Sequence, residues 1–344
     1  MATAGYERVE PQADAEQEQR ELPRNSGLDS EAEMQLGERK RWVMIGMIAL
    51  VTALIFADQN LMAPNLTAIA EEFGLTMQQR DWYLGGMLST LFFLIGAPAS
   101  VAAGYLTDTR SRKTIFIGVA LLGAIPCALT SFVQTPKQLF FTRMFTGASL
   151  GGFIPVTFSL LGDLFPSSQR VLVSGGFGVV AGVGQGAGQL MAGITGHLIG
   201  WRACFLAVGI PGILAATAMS FIVTEPRRGA FDGSQKTRPE IVDIKLLGEA
   251  FTVRTNMLIF LQACFGCLPW GMIIAFLNDY LAQDSGLGVL NASLVLTVFG
   301  AGASAGGIAG AFLGQHYQNT QRYKIGLLMG LTTIGGIPPL LYMI

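Results

Sequence analysis

Residues 104–113, with the sequence Gly-Tyr-Leu-Thr-Asp-Thr-Arg-Ser-Arg-Lys, form a short charged stretch between two long apolar runs. Lys and Arg concentrate in the cytoplasmic connections of membrane proteins, and apolar runs of about 20 residues can cross a bilayer as helices. The stretch therefore predicts a cytoplasmic turn between two membrane spans. A Gly, polar residues and an Arg recur with the same spacing at residues 314–322, after a later apolar run. This internal repeat indicates two halves with a similar layout.

The composition of the 344-residue chain also indicates a membrane protein. The chain is 51% hydrophobic and 13% charged, whereas soluble domains carry roughly 25% charged residues. Its 44 glycines fit this class, because Gly is more frequent in membrane helices than in soluble ones. The formal net charge of −1 gives no support to a nucleic-acid partner. We therefore expect the lipid bilayer to be the main surrounding of the chain.

Nine apolar runs are long enough to span a membrane. They cover residues 42–64, 82–106, 114–133, 138–161, 172–199, 202–223, 255–280, 289–314 and 324–344. Basic residues are concentrated in alternate connections, at positions 39–41, 110–113, 170, 227–254 and 322–324. The intervening connections carry only Arg80, Lys137 and Arg202. This alternation predicts nine spans with a cytoplasmic N-terminus.

The runs divide the chain into four parts. Residues 1–41 are polar and poor in aromatic residues, which predicts a disordered cytoplasmic tail. Residues 42–224 form an N-terminal bundle of six spans, and residues 225–254 form a cytoplasmic loop between bundles. Residues 255–344 form a partial C-terminal bundle of three spans. Because the last apolar run reaches Ile344 with no polar tail, we interpret the chain as a truncated form.

Several motifs give the chain a resemblance to the major facilitator superfamily. Residues 104–113 resemble its signature between spans two and three, with departures at Thr109 and Ser111, where a basic residue and Gly are usual. Arg143-x-x-x-Gly147 and the Gly-Trp-Arg run that begins at residue 200 also match. Ala-Asp-Gln-Asn at 57–60 and Asp-Leu-Phe-Pro at 163–166 are most similar to the spinster-like branch. The resemblance covers nearly the whole chain after residue 41.

The resemblance implies a fold, an activity and a class of substrate. The fold is all-α, with six helices in each half, so this chain would hold six helices of the first half and three of the second. The activity is secondary active transport by alternating access. The branch implies lysolipid, sphingolipid or related amphiphilic substrates, coupled to protons and carried by a monomer without cofactors.

Asp58 and Arg143 are the residues that we expect to bind substrate and couple its movement to protons. Both lie inside apolar runs, where an ionised side chain costs at least ~2.5–3.5 kcal/mol. Helix geometry places Asp58 roughly 24 Å from Trp42 at 1.5 Å per residue, a depth similar to that of Arg143. An acid and a guanidinium at one level can pair. Protonation of Asp58 would then free Arg143 for an anionic group. A static structural ion pair is the alternative.

Two further groups of residues are candidates for conformational roles. Gly104, Asp108, Arg112 and Asp163 lie at the cytoplasmic ends of spans two to four, where we expect a gate whose charges re-pair during transport. Small residues repeat every fourth position on spans five and eight, which the resemblance places face to face. These stripes predict either a sliding contact or tight static packing. They comprise Gly178, Gly182 and Gly186 on span five, and Gly302, Gly306 and Gly310 on span eight.

Three functions follow from these observations. The first is a proton-coupled carrier of lysolipid or sphingoid-type amphiphiles, and the second is a carrier of small organic anions or sugars in the same superfamily. The third is a membrane sensor or regulatory fragment that transports nothing. An enzyme is not expected, because the sequence shows no nucleophile–base pair, metal-ligand cluster or phosphate-binding loop. We interpret Cys264-Phe-Gly-Cys267 as part of a membrane helix and not as a metal site.

Overall fold

The computed structural model describes residues 26–223, 225, 248–249, 251–321, 323–336 and 338. The described residues form helices joined by short connections and contain no β-strand, which confirms the predicted all-α class. We number nine helices in chain order. They are α1 Ser26–Gln59, α2 Met77–Thr109, α3 Arg112–Thr130, α4 Pro136–Leu164, α5 Arg170–Leu198, α6 Trp201–Ile222, α7 Arg254–Leu277, α8 Gly288–Thr320 and α9 Lys324–Gly335.

Eight helices in the described part of the chain are long and apolar enough to cross a membrane. They correspond to the first eight predicted runs. The ninth run contains α9, which is 12 residues long, and most residues after Gly336 lie outside the described part. The ninth span and the six-plus-three division therefore stay predictions. Most of the predicted loop 225–254 also lies outside the described residues.

The first helix begins earlier than the sequence predicts. Residues 26–41 belong to α1 and not to a disordered tail, and only residues 1–25 of the predicted tail lie outside the described part. The difference has a local cause, because 11 of these 16 residues are Glu, Leu, Arg, Ala, Met, Gln or Lys, which are strong helix formers. Its polarity, which suggested disorder, does not oppose a helix that continues into an apolar span.

The helices of the first half pack closely through small residues. Helix α2 packs against α4, and α3 packs against both α4 and α6. Gly96 of α2 lies so near Gly147 and Gly151 of α4 that a Cβ on any of them would meet the facing backbone. Close approach of this kind is typical of membrane helices, which associate through packing instead of the hydrophobic effect. Phe116 and Phe153 are both fully buried in the same bundle, and their ring centroids are 5.0 Å apart.

A polar contact fixes the connection after α1 to the start of α6. Gly200 begins the turn into α6 with a φ of 104°, a conformation that L side chains rarely adopt. The turn directs the Trp201 indole N–H to the carboxylate of Glu72 at 2.7 Å. Arg202 pairs with the same carboxylate and also donates to the Val133 carbonyl at 2.6 Å. The Gly-Trp-Arg motif therefore anchors three connections at one end of the bundle.

Candidate transport site

Asp58 and Arg143 form an ion pair inside the first six helices. The Nη1 atom of Arg143, on α4, donates to Oδ1 of Asp58, near the end of α1, at 2.8 Å. The exposed fraction is 7% for Asp58 and 2% for Arg143. The structure thus brings together the two residues that the sequence placed at one depth. In a buried pair of this kind, each charge offsets part of the desolvation cost of the other.

The other contacts of Arg143 leave the Nε–H group of its guanidinium without a hydrogen-bond partner among the described residues. Nη2 donates to the hydroxyl of Thr130 at 2.8 Å, and this hydroxyl also bonds with that of Thr142 at 3.0 Å. The ring of Phe205 lies under the guanidinium at 4.9 Å, within the range of a cation–π contact. The Nε atom is buried and has no hydrogen-bond partner among the described residues. Arg143 therefore has one donor available for a further acceptor.

The pair lies between two cavities. Asp58 lines a cavity enclosed mainly by α1, α3, α4 and α6. Cys127 of α3 and Ser149 of α4 also line this cavity. Arg143 lines a second cavity between α1, α2 and α7, and Gln59 borders both. Apart from Gln59, Ser89 and Arg143, the second cavity has apolar walls. These are Met62, Ala63, Leu66, Leu84, Leu88, Phe92, Phe93, Ile274 and Ala275.

A third cavity lies between α5, α7 and α8 and carries a row of amide side chains. Asn60, Gln185 and Gln189 line it on one side, and Trp270 and Phe299 line it on the other. Gln185 donates to Oε1 of Gln59 at 3.3 Å, which connects this row to the neighbourhood of Asp58. Gln189 is buried, and its Nε2 has no partner in the described part of the chain.

The predicted cytoplasmic cluster contains an ion pair. Arg112, at the start of α3, pairs with Asp163 near the end of α4 and also donates to the Ser159 carbonyl at 3.3 Å. Asp108 lies in the last turn of α2, and the chain turns at Arg110 with an extended backbone. Asp108 and Arg112 therefore lie on different helices, on either side of this turn, and their role in a gate stays a prediction. Gly104 lies on α2 with open space around it.

Glu225 belongs to the same cluster, although the sequence provides no indication of its role. Its carboxylate accepts hydrogen bonds from the backbone N–H groups of Arg112 at 2.7 Å and Lys113 at 3.3 Å, and from the hydroxyl of Ser111. The Lys113 ammonium donates to the Ser220 carbonyl at 2.7 Å. A carboxylate at a helix N-terminus satisfies otherwise unpaired N–H groups. Glu225 thus holds the start of α3, and with it Arg112, against the end of α6.

A second buried ion pair, absent from the sequence expectations, lies at the other end of α2. Nη2 of Arg80 contacts Oδ2 of Asp279, just after α7, at 2.8 Å. The sequence places Arg80 in a connection between two spans and gives no indication of a role for Asp279. The signal available in the sequence was the position of both residues at the ends of apolar runs, where charged residues are common.

The family of the chain follows from comparison with known proteins. The family model of the Major Facilitator Superfamily matches residues 48–343. The chain belongs to this superfamily. This membership and the eight apolar helices of the described residues make the chain an integral multi-pass membrane protein.

Individual relatives agree with this membership. The chain is 26% identical to Protein spinster homolog 3 of Danio rerio over 221 residues, which are 62% of this chain and 43% of that relative. It is 27% identical to the Sphingosine-1-phosphate transporter SPNS2 of Danio rerio over 221 residues, 60% of this chain and 42% of that relative. Multidrug resistance protein 3 of Bacillus subtilis is 32% identical over 185 residues, 53% of this chain and 34% of that protein. The chain thus spans less than half the length of these curated relatives.

A solved structure supports the fold. The crystal structure of a bacterial homolog to the human lysosomal transporter Spinster, in an inward-facing and unoccupied conformation, superposes with a TM-score of 0.65. The two proteins are 24% identical, and the match covers 82% of this chain and 64% of that one. This match shows the fold, and the two spinster-related relatives support the predicted resemblance to the spinster-like branch of the superfamily.

The contact between α5 and α8 includes only part of the two predicted glycine stripes. The two helices pack along each other, and Gly182 of α5 faces Ser304 of α8. On α8, however, Gly302, Gly306 and Gly310 point elsewhere, because a Cβ on any of them would meet no atom of another described helix within 4 Å. The face that α8 turns toward α5 contains Ser293, Thr297, Ser304 and Ala311. Gly178 and Gly186 border the cavity with the amide row.

Proposed function

We propose that this chain is a proton-coupled carrier that works by alternating access and moves a single-chain amphiphile with an anionic headgroup, of the lysolipid or sphingoid type. Asp58 is the proton site, and Arg143 is the headgroup and coupling residue. The observation that carries the proposal is the buried Asp58–Arg143 pair beside a cavity with mostly apolar walls.

The pair can couple a proton to an anion by exchange of partners. A proton that binds to Asp58 removes the negative charge that offsets Arg143. An unpaired cation in a buried site is strongly unfavourable, so the guanidinium then favours an anionic group in place of Asp58. Thr130 keeps its bond to Nη2, which leaves Nη1 and the unpartnered Nε for the ligand. A guanidinium suits the oxygens of a phosphate or carboxylate.

The walls of the Arg143 cavity favour an apolar chain next to the anionic group. Leu84, Leu88, Phe92 and Phe93 come from α2, and Ile274 comes from α7. Burial of apolar surface contributes about 0.8 kcal/mol per CH₂ group, so a long alkyl chain in this cavity would add substantially to binding. The names of the relatives, a sphingosine-1-phosphate transporter and a spinster homolog, support the same class of substrate.

A reconstitution experiment tests the proposal. The chain is placed in liposomes and offered a panel of lysophospholipids, sphingosine-1-phosphate, niacin and xylose, with and without a pH gradient. We expect gradient-dependent uptake of the amphiphiles, and we expect Asp58→Asn to abolish the dependence on the gradient. Glu71→Gln, which changes an exposed carboxylate, is the matched control and should behave like the parent chain. Gradient-dependent uptake that is unchanged in Asp58→Asn would overturn the coupling role.

A second candidate is a carrier of small organic anions or sugars. The observation in its favour is the amide row of Asn60, Gln185 and Gln189 opposite Trp270, because amides and a flat ring suit a small hydroxylated or carbonyl-bearing solute. A niacin transporter of Acinetobacter baylyi is 28% identical over 176 residues. Uptake of niacin or xylose without uptake of amphiphiles, together with its loss in Gln189→Leu, would favour this candidate. A folded chain that takes up nothing from the panel would favour a regulatory fragment.

A further inference from the structure

The cavity that Asp58 lines, here called the Asp58 cavity, has the size of a water molecule. It lies inside the first six helices, between α1, α3, α4 and α6, whereas the Arg143 cavity reaches α7. Its free volume is about 20 Å³. A space of at least about 10–15 Å³ holds one water molecule, provided that two to four polar groups can bond to it. The character of the polar groups in the wall therefore decides whether water binds there.

The polar side chains of the Asp58 cavity present mainly hydrogen-bond acceptors. They are Asp58, Gln59, Cys127, Thr146 and Ser149. The Thr146 hydroxyl donates its proton to a backbone carbonyl of its own helix at 2.9 Å, and the Ser149 hydroxyl donates to a carbonyl of α3 at 2.7 Å. The Cys127 thiol donates to a carbonyl of α6 at 3.5 Å. Toward the cavity, the two hydroxyl oxygens and the carboxylate can therefore only accept.

A cavity lined by acceptors favours an occupant that donates hydrogen bonds. A water molecule can donate two, and buried waters typically make about three bonds to polar groups. Thr146 and Ser149 lie three residues apart on α4, so they share one face of that helix, and this face lines the cavity opposite α1. Arg143 of α4 and Cys127 of α3 are the charged and titratable side chains that interact with Asp58 in the described structure.

We propose that the Asp58 cavity binds an ordered water molecule between the Asp58 carboxylate and the hydroxyls of Thr146 and Ser149, and that this water exchanges a proton with Asp58. The inference rests on the proposed function, in which Asp58 takes up a proton. It adds a bound proton carrier on the side of the ion pair that faces α3 and α6. Substrate is bound on the other side, in the Arg143 cavity.

The water reverses its hydrogen bond to Asp58 when the acid is protonated. An ionised carboxylate accepts a hydrogen bond from the water, whereas a protonated carboxyl carries an O–H group that needs an acceptor in a buried site. A proton arrives on the water as hydronium and moves to a carboxylate oxygen, which leaves neutral water. The oxygen of this water then accepts from the new O–H group, while its own two protons point to Thr146 and Ser149. The protonated acid is thus fully bonded after Arg143 has left it.

This arrangement lets the proton and the substrate approach the ion pair from different sides. Gln59 and Phe92 line both cavities and therefore form their common wall. A substrate in the Arg143 cavity does not need to be displaced for a proton to reach Asp58. The bound water also explains why α4 carries two hydroxyl side chains at a position where apolar residues would fill the bundle.

Infrared difference spectroscopy of the purified full chain, recorded between low and high pH, tests the water site. Asp58→Asn identifies the carboxyl band of protonated Asp58, and water labelled with heavy oxygen identifies the O–H band of the bound water. In the chain with Thr146→Val and Ser149→Ala, the carboxyl band should shift to higher frequency and the water band should be lost. Thr146→Ser, which keeps the hydroxyl, should retain both bands.

Thr157→Val is the matched control, because Thr157 is a fully buried threonine of α4 whose hydroxyl also donates within its own helix, at 2.7 Å. It does not line the Asp58 cavity, so both bands should stay at the parent frequencies. A water band that is lost in Thr157→Val as well would attribute the effect to general loosening of α4 and overturn the assignment.

Two failures are distinguishable. A parent chain without an Asp58 carboxyl band at any pH overturns the proton site of the proposed function and the water site with it. A parent that shows the band, and keeps its frequency with Thr146→Val and Ser149→Ala, overturns the water site alone. Should that double variant not fold, Val51→Ile, which adds a methylene to the wall of the same cavity and removes no side-chain hydrogen bond, is measured in its place. A bound-water band that persists in Val51→Ile rejects the proposal, and its loss supports it.

Discussion

The backbone carbonyl of Ala57 in α1 occupies the position that a side chain on Gly188 of α5 would need. One turn earlier, the carbonyl of Ala53 lies in the same way against Gly184. Ala57 immediately precedes Asp58, so this contact fixes both the height and the rotation of the acid that faces Arg143. The close approach of α1 and α5 therefore helps to position the candidate transport site.

Gly188→Ala is expected to destabilise the chain and to displace Asp58. Added atoms in a close-packed contact cost about 1–3 kcal/mol, and the colliding atoms here belong to the backbone of α1, which cannot rotate away. Thermal unfolding in detergent measures the change in stability. Gly176→Ala, on the same helix with no atom of another described helix within 4 Å of its added Cβ, is the matched control. It should be neutral or slightly stabilising, because Ala favours helix by about 0.5–1 kcal/mol over Gly. Equal destabilisation by both changes would contradict the contact.

The Asp58–Arg143 pair is expected to show strong coupling in a double-mutant cycle. Either Asp58→Asn or Arg143→Gln leaves one buried charge without its partner, which costs about 3–5 kcal/mol. The double variant removes both charges and should be clearly more stable than the sum of the single effects predicts. The free energy of unfolding of the four chains provides the cycle. Glu72 and Arg202, which are 43% and 33% exposed, serve as a control pair with a coupling of only about 0.2–1 kcal/mol. Additive effects at Asp58 and Arg143 would show that they do not interact.

The sequence predicted the Asp58–Arg143 pair because charges inside apolar runs are few and helix rise gives their depth. The rotation of each helix about its axis could not be obtained in this way. The face of α8 toward α5 therefore turned out to contain Ser304 and Ala311, and not Gly302 and Gly306. The same limit applies to Arg80 and Asp279, whose positions at span ends are ordinary for charges and whose pairing depends on how α7 packs. Short fragments of helix, such as Leu66–Glu72, leave no periodic signal.

Glu225→Gln is expected to weaken the start of α3 without unfolding the bundle. The charged carboxylate accepts two backbone N–H groups and a hydroxyl at a helix N-terminus, an arrangement for which loss of the cap costs about 0.5–2 kcal/mol. The change should lower the free energy of unfolding by that amount and increase the rate of hydrogen exchange at the backbone amides of Arg112 and Lys113. Glu249→Gln alters an exposed acid and should leave both measurements unchanged. An unchanged rate of hydrogen exchange at the start of α3 in Glu225→Gln would show that Glu225 does not cap this helix.

Substitutions at the contact between α5 and α8 can distinguish a sliding surface from static packing. Gly182→Leu places a large side chain against Ser304 and should destabilise the chain by about 1–3 kcal/mol, whereas Gly306→Leu points away from α5 and should change stability by less than about 0.5 kcal/mol. Gly178→Leu is the informative change, because its Cβ meets no atom of another described helix within 4 Å here.

If α5 and α8 slide during transport, the side chain added at Gly178, whose Cβ meets no atom of another described helix here, collides in another arrangement. We then expect Gly178→Leu to keep the thermal stability of the parent and to reduce the rate of uptake in liposomes. Under static packing, the same variant should keep both its stability and its rate, because the surroundings of residue 178 never change. The Gly306→Leu variant provides the comparison for uptake, since its position faces away from α5 in the described structure. A reduced rate in Gly178→Leu alone therefore identifies the moving contact.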